Sequence, residues 1–277
     1  MEQAKYRYRS LEDFLISNPL SVDGQLDDGW EALFSVKGRE IKAAILFADI
    51  TSFSRRTLKL SSTETLIFVN NFFTWITAEA LKNRPGIVDK YIGDEIMVIF
   101  SEEFGSKDSF VDAVQTARCM AEYDALAFWP HMGIASGVVT AGFVGTPLKY
   151  ECSVFGVPVT LAARCAGTPR PKPRTNAKPR PLVSSRIIFP AGLWKGRSFE
   201  EVFPPEKRGM PDGTIQEQPH VWELLPPRKV KMKKMGIIEI REVVNRSTYV
   251  PPQSAEERAR EYLRLLQTSG KYRQRGT

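Results

Sequence analysis

Residues 41–49, IKAAILFAD, form an apolar, β-branched run that ends on a carboxylate, where the chain turns into the loop Ile50-Thr51-Ser52-Phe53-Ser54. Such a run reads as a buried strand with Asp49 at its C-terminal rim. Further along, Lys90-Tyr91-Ile92-Gly93-Asp94 leads into a second apolar run, EIMVIF. This reads as strand, tight glycine turn, strand, with Gly93-Asp94 at a hairpin tip. If the two strands are neighbours, Asp49 and Asp94 meet at one edge of a sheet and make a site for a divalent cation. Taken singly, each has a plainer role, Asp49 capping the next helix and Asp94 filling a turn; the pairing is what favours a metal.

The elements around these strands can be placed coarsely. Ser61-Ser62-Thr63-Glu64 is a capping box, and Leu66, Val69, Phe73, Ile76 and Ala80 recur at helical spacing, so a helix is predicted over about 62–83. A second helix is expected over about 107–127, strands over 131–138 and 141–144, and a helix from Pro158 that carries Leu161, Ala162 and Cys165 inward. The order strand, helix, hairpin, helix, strand predicts an α+β, ferredoxin-like palm: an antiparallel-rich sheet with helices on one face. Near the end, Ser254-Ala255-Glu256-Glu257 is another capping box, with Ala259, Leu263 and Leu266 on one stripe. That tail is a short amphipathic helix that docks on its own domain or on a partner.

Composition narrows the function classes. A chain of 277 residues, 42% hydrophobic and 26% charged, has the length for one sizeable core. Cys119, Cys152 and Cys165 show no CxxC spacing and have only His131 and His220 for company, so no zinc pattern is present and a reducing cytoplasm is the expected setting. The N-terminal segment lacks the apolar core of a signal peptide, and no stretch approaches the roughly 20 apolar residues that span a bilayer, so no membrane partner is expected. The net charge of +7 is unevenly placed. Residues 168–181, TPRPKPRTNAKPRP, hold five prolines and five basic residues without an acid, and read as an exposed insertion loop. A nucleic-acid arm is the alternative, but the loop lacks interleaved aromatics. The second basic run, Val230-Lys231-Met232-Lys233-Lys234-Met235-Gly236, alternates like a strand leading into 237–244. Its lysines either bind triphosphate or line a solvated strand.

On these motifs the chain resembles the class III nucleotidyl cyclases. Phe47-Ala48-Asp49-Ile50-Thr51-Ser52-Phe53-Ser54 is similar to the family's first metal motif and Lys90-Tyr91-Ile92-Gly93-Asp94 to its second. Ser136-Gly137-Val138-Val139 with Ala141-Gly142-Phe143-Val144-Gly145 is similar to its glycine-punctuated strand pair. Ser153-Val154-Phe155-Gly156 through Arg164 is similar to its base-reading and transition-state segment. The resemblance covers 40–168 well and 182–246 loosely. It implies an N-terminal extension (1–39), a catalytic domain (40–246) interrupted by the basic loop, and a helical tail (247–277).

What the resemblance implies is specific. A nucleoside triphosphate is cyclised to its 3′,5′-monophosphate with release of pyrophosphate. Two divalent cations, Mn²⁺ or Mg²⁺, are held by Asp49, Asp94 and the backbone carbonyl of Ile50, while Ile50, Thr51, Ser52, Phe53 and Ser54 surround the β- and γ-phosphates. Lys90 and Ser153 read the base, Thr160 holds the ribose, and Arg164 stabilises the transition state; apart from the resemblance, Lys234 of the basic run is the candidate to meet the triphosphate. Arg164 lies in the apolar helical segment VTLAARC, where an unpaired charge is costly, so it is expected to point into a site. In the family the metal carboxylates come from one protomer and the Lys, Ser and Arg positions from the other, which implies a head-to-tail homodimer. The sequence departs from the family in Ser52 for Gly, Val157 for Asp and Thr160 for Asn.

SVFGVPVTLAAR is also similar to the bacterial pyrimidine cyclases of anti-phage signalling, which implies a downstream cyclic-nucleotide-binding effector. Uracil suits the base pair, with O4 accepting from Lys90 and N3–H donating to Ser153. Tyr91 and Phe155 are expected to narrow the pocket against a purine. The expected substrate order is therefore UTP, CTP, ATP, with cyclic UMP as the main product. Two alternatives stand beside this: a diguanylate-cyclase-like enzyme, from Tyr91-Ile92-Gly93-Asp94-Glu95, and a catalytically dead module that binds nucleotide or nucleic acid.

Overall fold

The computed structural model describes residues 7–27, 33–82, 84–122, 124, 128–146, 149–169, 185–205, 207–209, 215–217, 221–245 and 255–268. The chain opens with α1 (Leu11–Ile16), β1 (Val22–Asp27) and the long β2 (Leu33–Asp49), followed by α2 (Phe53–Thr57) and α3 (Ser62–Leu81). The hairpin β3 (Gly86–Ile92) and β4 (Glu95–Ser101) comes next, then α4 (Ser109–Glu122), β5 (His131–Thr146), β6 (Lys149–Phe155) and α5 (Val157–Ala166). Beyond it lie β7 (Arg186–Pro190), α6 (Phe199–Val202), β8 (Lys207–Gly209), β9 (Ile215–Glu217), β10 (Trp222–Leu224), β11 (Arg228–Met232), β12 (Gly236–Asn245) and α7 (Ala255–Thr268). Among the described residues the main sheet runs β10-β12-β7-β5-β2-β4-β3, with β1 also on β2, β6 on β5 and β11 on β12. Its pairings are antiparallel except β5 with β7. The architecture is α+β with an antiparallel-rich mixed sheet, as the motif order predicts.

Helices cover both faces of this sheet, however, and the one-sided arrangement is corrected. Ala44, Leu46 and Ala48 of β2 pack with Phe68, Phe72 and Ile76 of α3 and Ala113 and Val114 of α4. The alternate residues Ala43, Ile45 and Phe47 pack with Leu11, Phe14 and Leu15 of α1 and Ala162 and Ala166 of α5. A run with no polar alternation is what a strand buried on both sides requires.

Local chemistry sets the other boundaries. The Ser61 and Glu64 capping box starts α3, but its buried stripe is Phe68, Phe72, Ile76 and Ala80, and Leu66 faces solvent. Phe68 and Phe72 both pack on Phe128, with ring centroids 5.3 and 5.2 Å away, and large aromatic faces outweigh an aliphatic stripe. Helix α4 starts at Ser109 because the Asp108 carboxylate accepts from the N–H groups of Phe110 and Val111, each at 3.1 Å, and so caps it, and the helix ends at Glu122, short of the predicted 127.

The two strands expected over 131–144 are one continuous strand, β5. Its glycines serve close approach rather than a turn. A Cβ on Gly133 would lie 2.1 Å from the Ala162 carbonyl oxygen and 2.2 Å from the Ala166 nitrogen, and one on Gly137 2.9 Å from Pro158 Cγ. Helix α5 therefore rests directly on the backbone of β5.

The second basic run is a hairpin, not a continuous strand. Met232 pairs with Gly236 across a turn of Lys233, Lys234 and Met235, and Lys234 (φ 65°) and Gly236 (φ 78°) are left-handed. Helix α7 docks on its own domain, where Leu263 is buried and Arg260 Nη2 donates to the Lys59 carbonyl at 3.0 Å. The Ser254 capping box, the side chains of Ala259 and Leu266, and 170–181 of the basic loop lie outside the described residues. No helix among the described residues is long and apolar enough to cross a membrane.

Candidate active site

Antiparallel register brings the two aspartates together. Asp49, the last residue of β2, stands opposite Glu95 on β4 and His131 on β5. Ile92 pairs with Glu95, which leaves Gly93-Asp94 as a two-residue hairpin loop. Gly93 has φ 62°, which glycine adopts without penalty and a tight hairpin needs at its first loop position.

The electrostatics are those of crowded carboxylates. Burial, then the charges of Asp94 and Glu95, push Asp49 from 3.8 up to about 7, against a backbone hydrogen bond from His131 and the charge of Arg186. Burial also raises Asp94, and burial followed by Asp94 raises Glu95. Asp49 Oδ1 is buried with no hydrogen-bond partner among the described residues. An orphaned oxygen among mutually repelling acids fits a divalent cation, which would relieve both. The Ile50 carbonyl accepts from Phe53 N–H at 3.2 Å and keeps a second lone pair. Among the described residues no group of three or more His, Cys, Asp or Glu is placed to hold a metal. Water and phosphate oxygens would complete the shell, as is usual for Mg²⁺.

This acid has a measurable signature in metal-free protein. Because the folded pKa lies above the unfolded one, Asp49 disfavours the fold as pH rises from its unfolded value toward 7, and its stabilising share is present only below that window. Asp49→Asn is therefore expected to raise the melting temperature in chelator by roughly 5 °C at about pH 8 and hardly at all at about pH 4. Equal shifts at both pH values would show that Asp49 is not held protonated.

The loop after Asp49 is strained. Ser52 precedes α2 with φ 58° and caps it with no side-chain hydrogen bond. A left-handed non-glycine residue costs about 1–2 kcal/mol, which accounts physically for the family's glycine here. The Thr51 hydroxyl donates to the Trp129 carbonyl, Phe53 packs on the main core, and Ser54 is exposed. Thr51 and Phe53 thus hold the loop in place through their side chains.

A second cluster forms where β3 meets β6. The β3–β4 register shifts between Val88 and Lys90, so Asp89 is the extra residue of a β-bulge. Its side chain is 0% exposed and lies 3.6 Å from Lys90 Nζ. Ser153 Oγ donates to Asp89 Oδ2 at 2.8 Å. Lys90 Nζ is also 3.6 Å from Glu151 Oε2, with side-chain exposures of 29% and 63%. Burial raises the Asp89 pKa, and the Ser153 hydrogen bond and Lys90 oppose it. Sequence reasoning found Lys90 and Ser153 but passed over Asp89 and Glu151; an acid beside Lys90 was the available signal. Tyr91 is turned onto α3, its hydroxyl 2.7 Å from Thr77 Oγ1 and its ring 4.2 Å from Phe73, so the expected narrowing of the pocket by Tyr91 is corrected. Burial pushes the Cys152 and Cys165 thiols up to about 12, which favours the protonated thiol over the nucleophilic thiolate.

Arg164 is not on the buried stripe of α5. That stripe is Pro158, Ala162, Cys165 and Ala166, while the helical period places Arg164 with Thr160 and Val157 on the exposed face. The expectation that burial would aim Arg164 into a site is corrected: its side chain has no hydrogen bond or ion pair among the described residues. Lys234 is likewise exposed, on the β11–β12 turn. The structure thus joins Asp49 with Asp94, and Lys90 with Ser153, and leaves Thr160, Arg164 and Lys234 open to solvent.

Residues 36–172 match the family model of the adenylate and guanylate cyclase catalytic domain. An uncharacterized protein of Mycobacterium tuberculosis (strain ATCC 25618 / H37Rv) is 32% identical over 130 residues, 46% of this chain and 23% of that protein. The terminal-differentiation-specific adenylate cyclase of Dictyostelium discoideum is 30% identical over 129 residues, 43% of this chain and 6% of that protein. The chain thus spans at most 23% of the length of these curated relatives. Among solved structures, the adenylyl cyclase CyaB from P. aeruginosa superposes with a TM-score of 0.53 at 18% identity, over 75% of this chain and 96% of that one. The guanylate cyclase domain of RhGC from Catenaria anguillulae gives 0.50 at 17% identity, over 76% and 100%. The fold is that of a nucleotidyl cyclase catalytic domain. Residues 36–172 are thus similar in sequence, as well as in fold, to an adenylate and guanylate cyclase catalytic domain.

Proposed function

We propose that this protein is an active class III nucleotidyl cyclase that converts a nucleoside triphosphate to its 3′,5′-cyclic monophosphate and pyrophosphate. The observation that carries this reading is the Asp49 and Asp94 pair, with a buried, unpartnered carboxylate oxygen at the rim of the sheet. In the reaction the ribose 3′-hydroxyl loses its proton and attacks the α-phosphorus in line, and the bond to pyrophosphate breaks. Two divalent cations, Mn²⁺ or Mg²⁺, held by Asp49, Asp94 and the Ile50 carbonyl would lower the pKa of that hydroxyl and neutralise the leaving group.

The chain's own groups supply the rest. The Arg164 guanidinium forks onto phosphoryl oxygens and gains strength as charge builds on them. Thr160, one turn earlier on α5, offers its hydroxyl to the ribose, and Lys234 offers its ammonium to the triphosphate. The exposed face of α5 and its approach, with Phe155, Val157, Thr160 and Arg164, is apolar enough to meet a second copy. A head-to-tail dimer would set Asp49 and Asp94 against Arg164 of the partner subunit, so each site needs two chains.

UTP is the proposed substrate, its O4 accepting from Lys90. ATP is the second reading, favoured by two observations: Tyr91 is turned away from Lys90, and adenylate cyclase is what the Dictyostelium relative is called. The product is proposed to be a second messenger read by a cyclic-nucleotide-binding effector, in the antiviral setting that the pyrimidine-cyclase resemblance implies. Incubation with an equimolar mixture of the four nucleoside triphosphates and Mn²⁺, with products resolved by mass, tests the reading. Cyclic UMP is expected to dominate. Predominant cyclic AMP would overturn the pyrimidine assignment and keep the cyclase; a dinucleotide, or no product, would overturn the cyclase itself.

A further inference from the structure

We infer that Asp124, acting through Trp129, is a positioning residue that sets the loop Ile50–Ser54 in its triphosphate-receiving form. The inference rests on the cyclase reading and adds to it a segment far from the loop in sequence. Both flanks of the loop grip Trp129. The Thr51 hydroxyl, just ahead of the left-handed Ser52, donates to the Trp129 carbonyl. On the other flank the Arg56 guanidinium carbon lies 5.0 Å from the centroid of the Trp129 ring. Thr51 is 7% and Arg56 3% exposed, so both contacts are shielded from water, where a hydrogen bond and a cation–π contact gain strength.

Trp129 is held in its turn. Its φ of 51° is left-handed, a conformation that a bulky residue adopts only at a cost, and Pro130 directly after it favours extended backbone instead. One carboxylate fixes it there: Asp124 accepts from the Phe128 N–H at 3.0 Å and from the Trp129 N–H at 2.6 Å. The fully buried Phe128 roots the segment in the core, where Trp75 stacks on its ring with centroids 5.5 Å apart. Trp129 then presents one acceptor and one aromatic face to the loop. Ser52 caps α2 with no side-chain hydrogen bond, so its own side chain does not secure the strained turn. The turn persists because Thr51 and Arg56 are pinned on either side of it to the same residue. A triphosphate therefore meets a loop already in place, and little ordering is left to binding.

The test compares Thr51→Val, Thr51→Ser, Asp124→Ala and the double variant Thr51→Val with Asp124→Ala against the wild type, with Mn²⁺. A loop that binds the β- and γ-phosphates equally in substrate and transition state, once loosened, weakens binding and spares the chemical step. Thr51→Val and Asp124→Ala should each raise the KM for the nucleoside triphosphate about tenfold, the scale of one lost buried hydrogen bond, with kcat within about twofold. The inhibition constant of pyrophosphate should rise by the same factor. Thr51→Ser, which keeps the hydroxyl, should match the wild type. The double variant should be no worse than the single ones, since both break one chain of contacts. In chelator, amide hydrogen exchange across residues 50–57 should quicken in Thr51→Val and Asp124→Ala but not in Thr51→Ser. The assignment is overturned if Asp124→Ala leaves KM and exchange unchanged, if kcat alone falls, or if the two effects simply multiply. Should Asp124→Ala fail to fold, Asp124→Asn, which keeps one acceptor, takes its place under the same criteria. Should the wild type form no cyclic product, the cyclase reading alone fails. Calorimetric titration with pyrophosphate and Mn²⁺ then decides: affinity equal in wild type and Asp124→Ala, or absent from both, overturns the assignment.

Discussion

Replacing Asp49 or Asp94 with alanine is expected to lower cyclic nucleotide formation about a thousandfold or more, a loss of at least about 4 kcal/mol of transition-state stabilisation. The effect should be chemical and not structural. Asp49 is crowded by Asp94 and Glu95 and partly desolvated, so deleting its carboxylate removes a destabilising charge at neutral pH and the variant should melt no lower than the wild type. Neither variant should recover at high Mn²⁺, because a missing ligand changes the position of the ion as well as its affinity. Substantial turnover in either, measured with Mn²⁺ from micromolar to millimolar, would remove the acidic pair from the reaction.

Mixing inactive Asp49→Ala with inactive Arg164→Ala should restore about a quarter of wild-type activity. Random exchange makes about half of the dimers mixed, and each mixed dimer carries one site free of both substitutions. Arg164 suits this experiment because its side chain is exposed and bears no packing. Alanine there removes a guanidinium without opening a cavity. If subunits demonstrably exchange, as two affinity tags on one dimer would reveal, and activity stays absent, the shared-site dimer is wrong.

Much of this site was legible in the sequence because it depends on register. A strand ending at Asp49 and a glycine turn carrying Asp94 can meet at one rim once β2 and β4 pair, and continuous apolar runs announce both strands. Less legible was everything decided by a third element. The capping box located α3, but the arrival of Phe128 rotated its buried stripe from Leu66 to Phe68 and Phe72. Arg164 sits in an apolar stretch of sequence, yet one residue of helical rotation separates it from buried Cys165. The glycines of β5 read as a break between strands because a turn and a close helix contact call for the same residue. The bulge at Asp89 leaves no trace in an alternating pattern except the acid next to Lys90.

The contact of α5 with β5 also constrains motion. The backbone of Ala162 and Ala166 rests over Gly133 with no side chain between, and only the Pro158 ring separates α5 from Gly137. A helix held at two places by such short approaches, one of them backbone on backbone, has little side-chain layer on which to slide. In the proposed reaction, adjustment of Arg164 to a triphosphate would then come from rotation of whole subunits or from its own torsions. In the free chain that side chain samples its rotamers in water, and fixing it costs up to about 2 kcal/mol. Part of the selectivity for the transition state over the bound substrate can therefore reside in when that one side chain becomes ordered, with the helix beneath it unchanged.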